Sequence, residues 1–349
     1  MKNIKQSGRI LFLDYMRVLA FSLVILGHKF SKDLLALSQD QSIHVTTRTL
    51  CEALYNLSYG GAMGVVVFFL VSGYIITHVL QSENTMEFYL KRIFRIYPLY
   101  MFAVIMEIIV RHAYGSPIPT LDVIIPRLLL VGDFFGTPLA LGDVEWTLRI
   151  EIMFYIFMGL LRKVGILPHG NILTIMLFCL AYALMTAPPF PITNDFHNAY
   201  FSTYAPFLFM GVIVYLLEKG LVNCSLAVLS LVAMLFMHLH LIELYNKSWG
   251  GYNYAVIGIL IFMASWRFRN SMSPNYACLF LSELTYSIYL FHNWTWDFLK
   301  YIVARFNLTL INPDVQVFIL LLAVCFAAHK LIENNCVRLG KLLLKRFKQ

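Results

Sequence analysis

Residues 61–80 read GAMGVVVFFLVSGYIITHVL, twenty positions without Asp, Glu, Lys or Arg. A helix of that length covers roughly 30 Å, the thickness of a bilayer's hydrocarbon core. A helix on the surface of a soluble domain keeps one polar face; this stretch has none, so it needs an apolar surrounding on every side. The composition extends the point to the whole chain. Of 349 residues, 59% are hydrophobic, 15% aromatic and 13% charged, and the mean hydropathy is +0.70. Soluble domains carry about 25% charged and about 45–50% apolar residues. Disorder, a collagen-like chain, a disulfide scaffold and a soluble nucleic-acid binder are excluded. The chain reads as an all-α, polytopic membrane protein.

Working outward from residues 61–80, apolar runs of spanning length recur near 10–30, 94–112, 146–162, 170–187, 203–217, 222–239, 252–267, 279–303 and 314–333. That predicts about ten transmembrane helices. The stretch 121–132 is short and holds Pro126 and Arg127, so it reads as an interfacial or re-entrant piece of an external loop at 113–145. With the amino terminus inside, sixteen of the 27 Lys and Arg fall in inner segments and eight in outer ones. Arg17, Arg149 and Lys330 lie within or beside spans. The positive-inside rule then puts both termini in the cytoplasm. The net charge of +8 is this topology signal rather than a nucleic-acid surface, since no basic run is interleaved with stacking aromatics.

The first span contains Asp14 and Arg17 and lacks a small-x-small cleavage site, so it is expected to stay in the protein. Residues 1–335 read as the membrane domain and 336–349 as a short basic cytoplasmic tail beside the inner leaflet. The six cysteines form no CxxC pair and no zinc spacing, and His238 and His240 would point about 200° apart on a helix, so no metal site is expected. There is no GxSxG elbow, HExxH or phosphate-cradling glycine loop.

Ionisable residues inside spans cost at least about 2.5–3.5 kcal/mol each on insertion scales, so each is a candidate for function. Arg17 and His28 are eleven positions apart, close to three helical turns, and so share a face about 16 Å apart. Asp14 lies one turn from Arg17 and forms a structural pair with it. Taken alone, these read as a snorkelling arginine with its counter-ion and an interfacial histidine. Likewise Ser72 beside Gly73 reads as a helix-packing site, Trp146 as an interfacial anchor, and Arg92 with Arg95 as a positive-inside pair. Glu151 and His292, however, fall with His28 in the outer half of the membrane on three different spans, and charges at one depth need a shared polar cavity. Arg92 and Arg95, one turn apart at the inner edge, form a fork suited to phosphates.

Five segments together resemble the acyltransferase-3 family of integral membrane acyltransferases. RILFLDYMRVLAFSLVILGHKF at 9–30 is similar to the family's opening pattern, with Arg17 and His28 at the basic and histidine positions. GVVVFFLVSGYII at 64–76 resembles its second-span signature, with Ser72 at the polar position. Arg92 and Arg95 resemble its RxxR pair. WTLRIEIMFY at 146–155 supplies Trp146 and Glu151, and TYSIYLFH at 285–292 ends at His292. The order and the span number also match; Arg149 departs from the motif, where a small or apolar residue is commoner. The esterase-like periplasmic domain fused to some members is expected to be missing.

The resemblance implies transfer of an acyl group, most often acetyl, from cytosolic acyl-CoA to a sugar hydroxyl on the outer side of a bacterial inner membrane. Acetyl-CoA is then the donor, a surface polysaccharide such as O-antigen of lipopolysaccharide or a lipid-linked sugar the acceptor, and membrane lipids the surroundings. His28 and Glu151 are the expected catalytic residues, with His28 as base or as acyl carrier and Glu151 orienting it. Arg17, Arg92 and Arg95 would bind the donor; Ser72, Trp146 and His292 would line the acceptor or oxyanion pocket. Succinyl transfer, another acceptor, or a secondary transporter of a polar solute are the alternatives. A transporter would call for paired broken helices in two halves of the chain, which the sequence does not display.

Overall fold

The computed structural model describes residues 9–193, 197–306 and 311–347. Lys2, Lys5 and Lys348, part of the charge count above, lie outside the described residues. Most of those described are helical, with no strand among them. The chain divides into two units, Met1–Val71 with Trp249–Thr285, and Ser72–Ser248 with Tyr286–Gln349.

The first unit opens with α1 (Leu11–Ile25), which widens into a π turn at Leu26–Phe30 and continues as α2 (Ser31–Gln39). The π turn carries His28. Helix α3 (Val45–Ser58) packs back on α2 and leads through Tyr59–Gly61 into α4 (Ala62–Leu80). Gly27 permits this return, because a Cβ there would collide with the Ser58 carbonyl and the Gly61 backbone.

The second unit takes over within α4 at Ser72. It continues with α5 (Thr85–Ala113), a short α6 (Leu121–Leu128), α7 (Trp146–Lys163), α8 (Gly170–Thr186), α9 (Tyr200–Glu218) and α10 (Cys224–Tyr245). Helix ends follow local chemistry. The Asn84 side chain accepts from Glu87 N at 2.9 Å to start α5, and Asn223 caps α10. Arg162 and Lys163 sit in the last turn of α7, where cations oppose the helix dipole, and Gly165 at φ +76° terminates it. With 29 residues, α5 is roughly 43 Å long, so it outruns a 30 Å hydrocarbon core and carries its amino-terminal arginines toward the boundary. Helix α9 is the centre of this unit, with 89% of its apolar window buried.

The chain returns to the first unit for α11 (Tyr254–Arg267) and the start of α12 (Tyr276–Phe291). Then α13 (Trp296–Phe306), α14 (Pro313–Ala328), a second π turn at His329–Glu333 and α15 (Asn334–Phe347) complete the second unit. The expected tail from 336 is part of α15, whose Gly340 lies against the Phe94 ring of α5.

Among the described residues, six helices or helix runs are long and apolar enough to cross a membrane: Leu11–Gln39, Val45–Leu80, Thr85–Ala113, Tyr200–Glu218, Cys224–Tyr245 and Pro313–Arg346. Gly170–Thr186, Tyr254–Arg267 and Tyr276–Phe291 are shorter apolar helices. The expected fourth span coincides with helix α7, which falls in neither group because Arg149, Glu151, Arg162 and Lys163 lower its hydropathy. The expected span at 279–303 is divided. Its helix stops at Phe291 because the polar groups of 292–295 bond back onto the last turn: Trp294 Nε1 donates to Leu290 O at 3.0 Å and Thr295 Oγ1 to Phe291 O at 2.5 Å. Such side-chain bonds satisfy carbonyls that a continuing helix would have used. Ile172, Ile175, Leu229, Phe236 and Ile319 stand exposed on α8, α10 and α14, as lipid-facing positions do.

Candidate active site

In the first unit, Asp14 is buried and saturated. It accepts from Arg9 Nε at 2.9 Å, Arg17 at 3.3 Å and Ser282 Oγ at 2.6 Å. Arg9 also reaches Glu283 at 3.1 Å. The expected Asp14–Arg17 pair is therefore part of a five-residue network tying α1 to α12. Ser282 was not visible as a partner, because contact between residues 268 positions apart leaves no local pattern.

His28 is exposed on the π turn, a local expansion that recurs at functional sites. Its Nε2 lies 3.2 Å from Gly60 O. A carbonyl only accepts, so Nε2 carries the hydrogen and the basic lone pair resides on Nδ1. Gly60 (φ +55°) and Gly61 (φ +73°) allow the approach: a Cβ on Gly61 would touch the His28 ring at 3.3 Å, and one on Gly60 would strike the Trp249 ring. Tyr59 stacks on Tyr252 at 3.8 Å and meets Trp249 edge-on at 5.3 Å. The imidazole thus sets Nε2 against a backbone carbonyl beside an aromatic cluster.

In the second unit, Glu151 is buried on α7 and accepts from Ser72 Oγ at 2.6 Å. Tyr155, one turn further on, lies close enough to feel the same carboxylate. The charges of Arg92 and Glu151 also act on one another. The Arg92 guanidinium lies 5.4 Å from the Phe88 ring and 5.8 Å from the Tyr155 ring. Its Nε is buried without a hydrogen-bond partner. Neither Arg92 nor Arg95 forms an ion pair among the described residues, whereas the adjacent Lys91 is bound by Glu83 at 2.7 Å and Glu87 at 2.9 Å. The sequence placed Ser72, Glu151 and the two arginines in separate motifs; the fold brings them into one electrostatic neighbourhood. Tyr155 was missed, although its i,i+4 spacing from Glu151 was legible.

Trp146 and His292 lie elsewhere in this unit, both beside the start of α7. Trp146 is buried rather than interfacial, its ring 5.3 Å from Tyr200 and 5.1 Å from Tyr204. His292 is fully buried, with Nδ1 donating to Tyr289 O at 2.8 Å. The Tyr289 hydroxyl donates to Val144 O at 2.7 Å and meets the Thr147 hydroxyl. Arg149, whose partner the sequence left open, is 2% exposed and ion-paired to Glu145 at 2.7 Å and to Asp133. Tyr200 donates to the same Asp133. Among the described residues no group of three or more His, Cys, Asp or Glu is arranged to hold a metal.

A family model described as an acyltransferase domain matches residues 10–329. A protein of the Acidianus two-tailed virus that bears the provisional name acetyltransferase ORF330 is 26% identical over 252 residues, covering 66% of this chain and 72% of that one. No solved structure matches the chain.

Proposed function

Because the chain belongs to the acyltransferase-3 family, we propose that it moves an acetyl group from cytosolic acetyl-CoA to a sugar hydroxyl presented on the outer side of a bacterial inner membrane. The observation that carries the donor assignment is the arginine pair of α5. An arginine partly withdrawn from water without a close ion pair is costly unless an anion visits it. Arg92, with a buried and unpartnered Nε, and Arg95, one turn on, suit the phosphates of coenzyme A. Glu151, held by Ser72, would set the position of Arg92 and keep it from binding any anion indiscriminately.

In the transfer, the acceptor oxygen attacks the thioester carbonyl carbon, a C–O bond forms and the C–S bond breaks. His28 Nδ1 would take the hydroxyl proton and return it to the departing CoA thiolate, so no net acid or base is consumed. Arg17 would bind the donor on its way. The six long and three shorter apolar helices, together with α7, support ten crossings, and the excess of Lys and Arg in alternate segments supports both termini in the cytoplasm.

The test is release of free CoA thiol from acetyl-CoA by purified protein in lipid nanodiscs, with oligosaccharide acceptors. Arg92→Ala is expected to raise the KM for acetyl-CoA by about 10–100-fold, the scale of one lost charge-assisted hydrogen bond. Arg92→Lys should recover only part, because an ammonium lacks the bidentate fork. An unchanged donor KM in Arg92→Ala and Arg95→Ala would overturn the donor assignment.

A further inference from the structure

Helix α6 is amphipathic the wrong way round for water. Its arginine, Arg127, is buried, while Leu121, Ile125 and Leu129, spaced i, i+4 and i+8 along one edge, are exposed, Leu121 by 70%. A helix beside water turns its charge outward and its leucines inward. The observed orientation suits the acyl-chain boundary of a membrane. On the Arg127 side, between the loop segments 116–119 and 139–143 and against the last turns of α5, lies a cavity of about 370 Å³ within the second unit. That volume is at the lower end of small-ligand sites, roughly 300–1,000 Å³. We infer that the cavity holds the phosphoethanolamine headgroup of a membrane phospholipid, whose acyl chains run out along the exposed edge of α6.

Charge complementarity names the headgroup. Four ionisable side chains line the cavity: Glu107, Arg111, Arg127 and Asp143. Glu107 is buried and both its oxygens are engaged, Oε1 by Arg111 and Oε2 by Leu141 N at 2.6 Å. Arg111 gives that carboxylate Nε and Nη2, each at 2.9 Å, and keeps Nη1 free on a half-exposed side chain. Arg127 donates from Nη2 to Pro138 O at 2.9 Å and makes no ion pair among the described residues; Glu145 acts on its charge from further off. Its Nε is enclosed, which leaves the Nη1 edge to a ligand. A buried guanidinium so placed is costly unless an anion visits it. Asp143, exposed in the same cavity, makes no ion pair or hydrogen bond among the described residues. Two guanidiniums with N–H groups to spare and one spare carboxylate match a zwitterion: phosphate oxygens accept from Arg111 and Arg127, and an ammonium donates to Asp143. A phosphoglycerol headgroup sets a hydroxyl where that ammonium would be and forgoes the ion pair. Depth agrees with the assignment. Helix α5 outruns a hydrocarbon core of about 30 Å, so its last turn, with Arg111, reaches the headgroups. Earlier on α5, Phe102, Ile105 and Ile109 stand exposed, as lipid-facing positions do.

The experiment adds dioleoyl phosphatidylethanolamine or dioleoyl phosphatidylglycerol, at equal mole fraction, to the delipidated full chain in detergent micelles. Retained lipid is counted by native mass spectrometry, with free phosphoethanolamine as the tail-less competitor. One phosphatidylethanolamine per chain is expected to stay bound, about tenfold more tightly than phosphatidylglycerol, the scale of one charge-assisted hydrogen bond. Arg111→Gln should weaken both lipids by a similar factor. Asp143→Asn should abolish the preference while leaving phosphatidylglycerol binding as strong as before. Asn tolerates the left-handed backbone of this position, φ +67°, about as well as Asp. The melting temperature of Asp143→Asn in lipid-free detergent should therefore equal that of the wild type, so that a lost preference reports on the site and not on folding. Equal binding of the two lipids by the wild type, a preference that survives Asp143→Asn, or retention indifferent to Arg111→Gln would overturn the inference. So would displacement of the lipid by millimolar phosphoethanolamine, which would make the cavity a site for a soluble phosphate ester.

Discussion

Replacing Arg149 by Met tests whether the buried charge network at the start of α7 holds the loop segments in place. Arg149 is 2% exposed, Glu145 fully buried, and the Asp133 side chain 8% exposed, so water cannot take over the role of the guanidinium. Breaking a buried ion pair by removing one partner costs about 3–5 kcal/mol, mostly because the remaining charge is stranded. Two carboxylates are stranded here, although Glu145 keeps one donor in Ala140 N at 2.8 Å. We therefore expect Arg149→Met to lose about 3–5 kcal/mol. The triple variant Asp133→Asn, Glu145→Gln, Arg149→Met should regain most of it, since neutral isosteres remove the stranded charge. The pH dependence has a definite sign. Burial already pushes the Glu145 carboxyl up, against the pull of Arg149. Without Arg149 the folded-state value rises further above the ordinary glutamate value of about 4.3. The folded variant then binds more protons than the unfolded chain, so its stability is present below about pH 4.3 and is lost as pH rises through the raised value. The assay is thermal unfolding of purified wild type and both variants in the same detergent between pH 4.5 and 8. A variant that loses under about 1 kcal/mol at pH 8 and shows the wild-type pH profile would refute the reasoning.

His28→Ala should lower acetyl transfer by about 10²–10⁴-fold, the scale of general base catalysis, while expression and membrane insertion stay unchanged; activity within a few-fold of wild type would remove His28 from that role. Gly27→Ala, whose Cβ would meet the Ser58 carbonyl, should depress the melting temperature and spoil transfer together, whereas Gly136→Ala, facing open space, should do less despite its positive φ; equal effects would contradict the packing argument. Reporter fusions after Arg338 should report a cytoplasmic location and fusions within 113–120 an external one; an external signal after Arg338 would refute the ten-span topology.

Much of this protein was legible before any tertiary information. Membrane insertion depends on transfer free energies summed along one segment, a quantity local in sequence, so runs such as 61–80 announce themselves. Asp14 with Arg17 was readable for the same reason, since helical spacing alone puts them together. The division of the run at 279–303 was not, because it turns on Trp294 and Thr295 bonding to carbonyls rather than on hydropathy. Arg149 was half legible: Glu145 lies one turn away, while Asp133 reaches it from a loop. The tertiary structure alone decided that Ser72 and Glu151, 79 positions apart, share a hydrogen bond, and that the Gly60 carbonyl holds Nε2 of His28. It alone decided that a cavity opens between two loop segments. Each of these is a pairing, and the partner of a polar group buried in a bundle is chosen by which helix faces which, information that no single stretch of sequence contains.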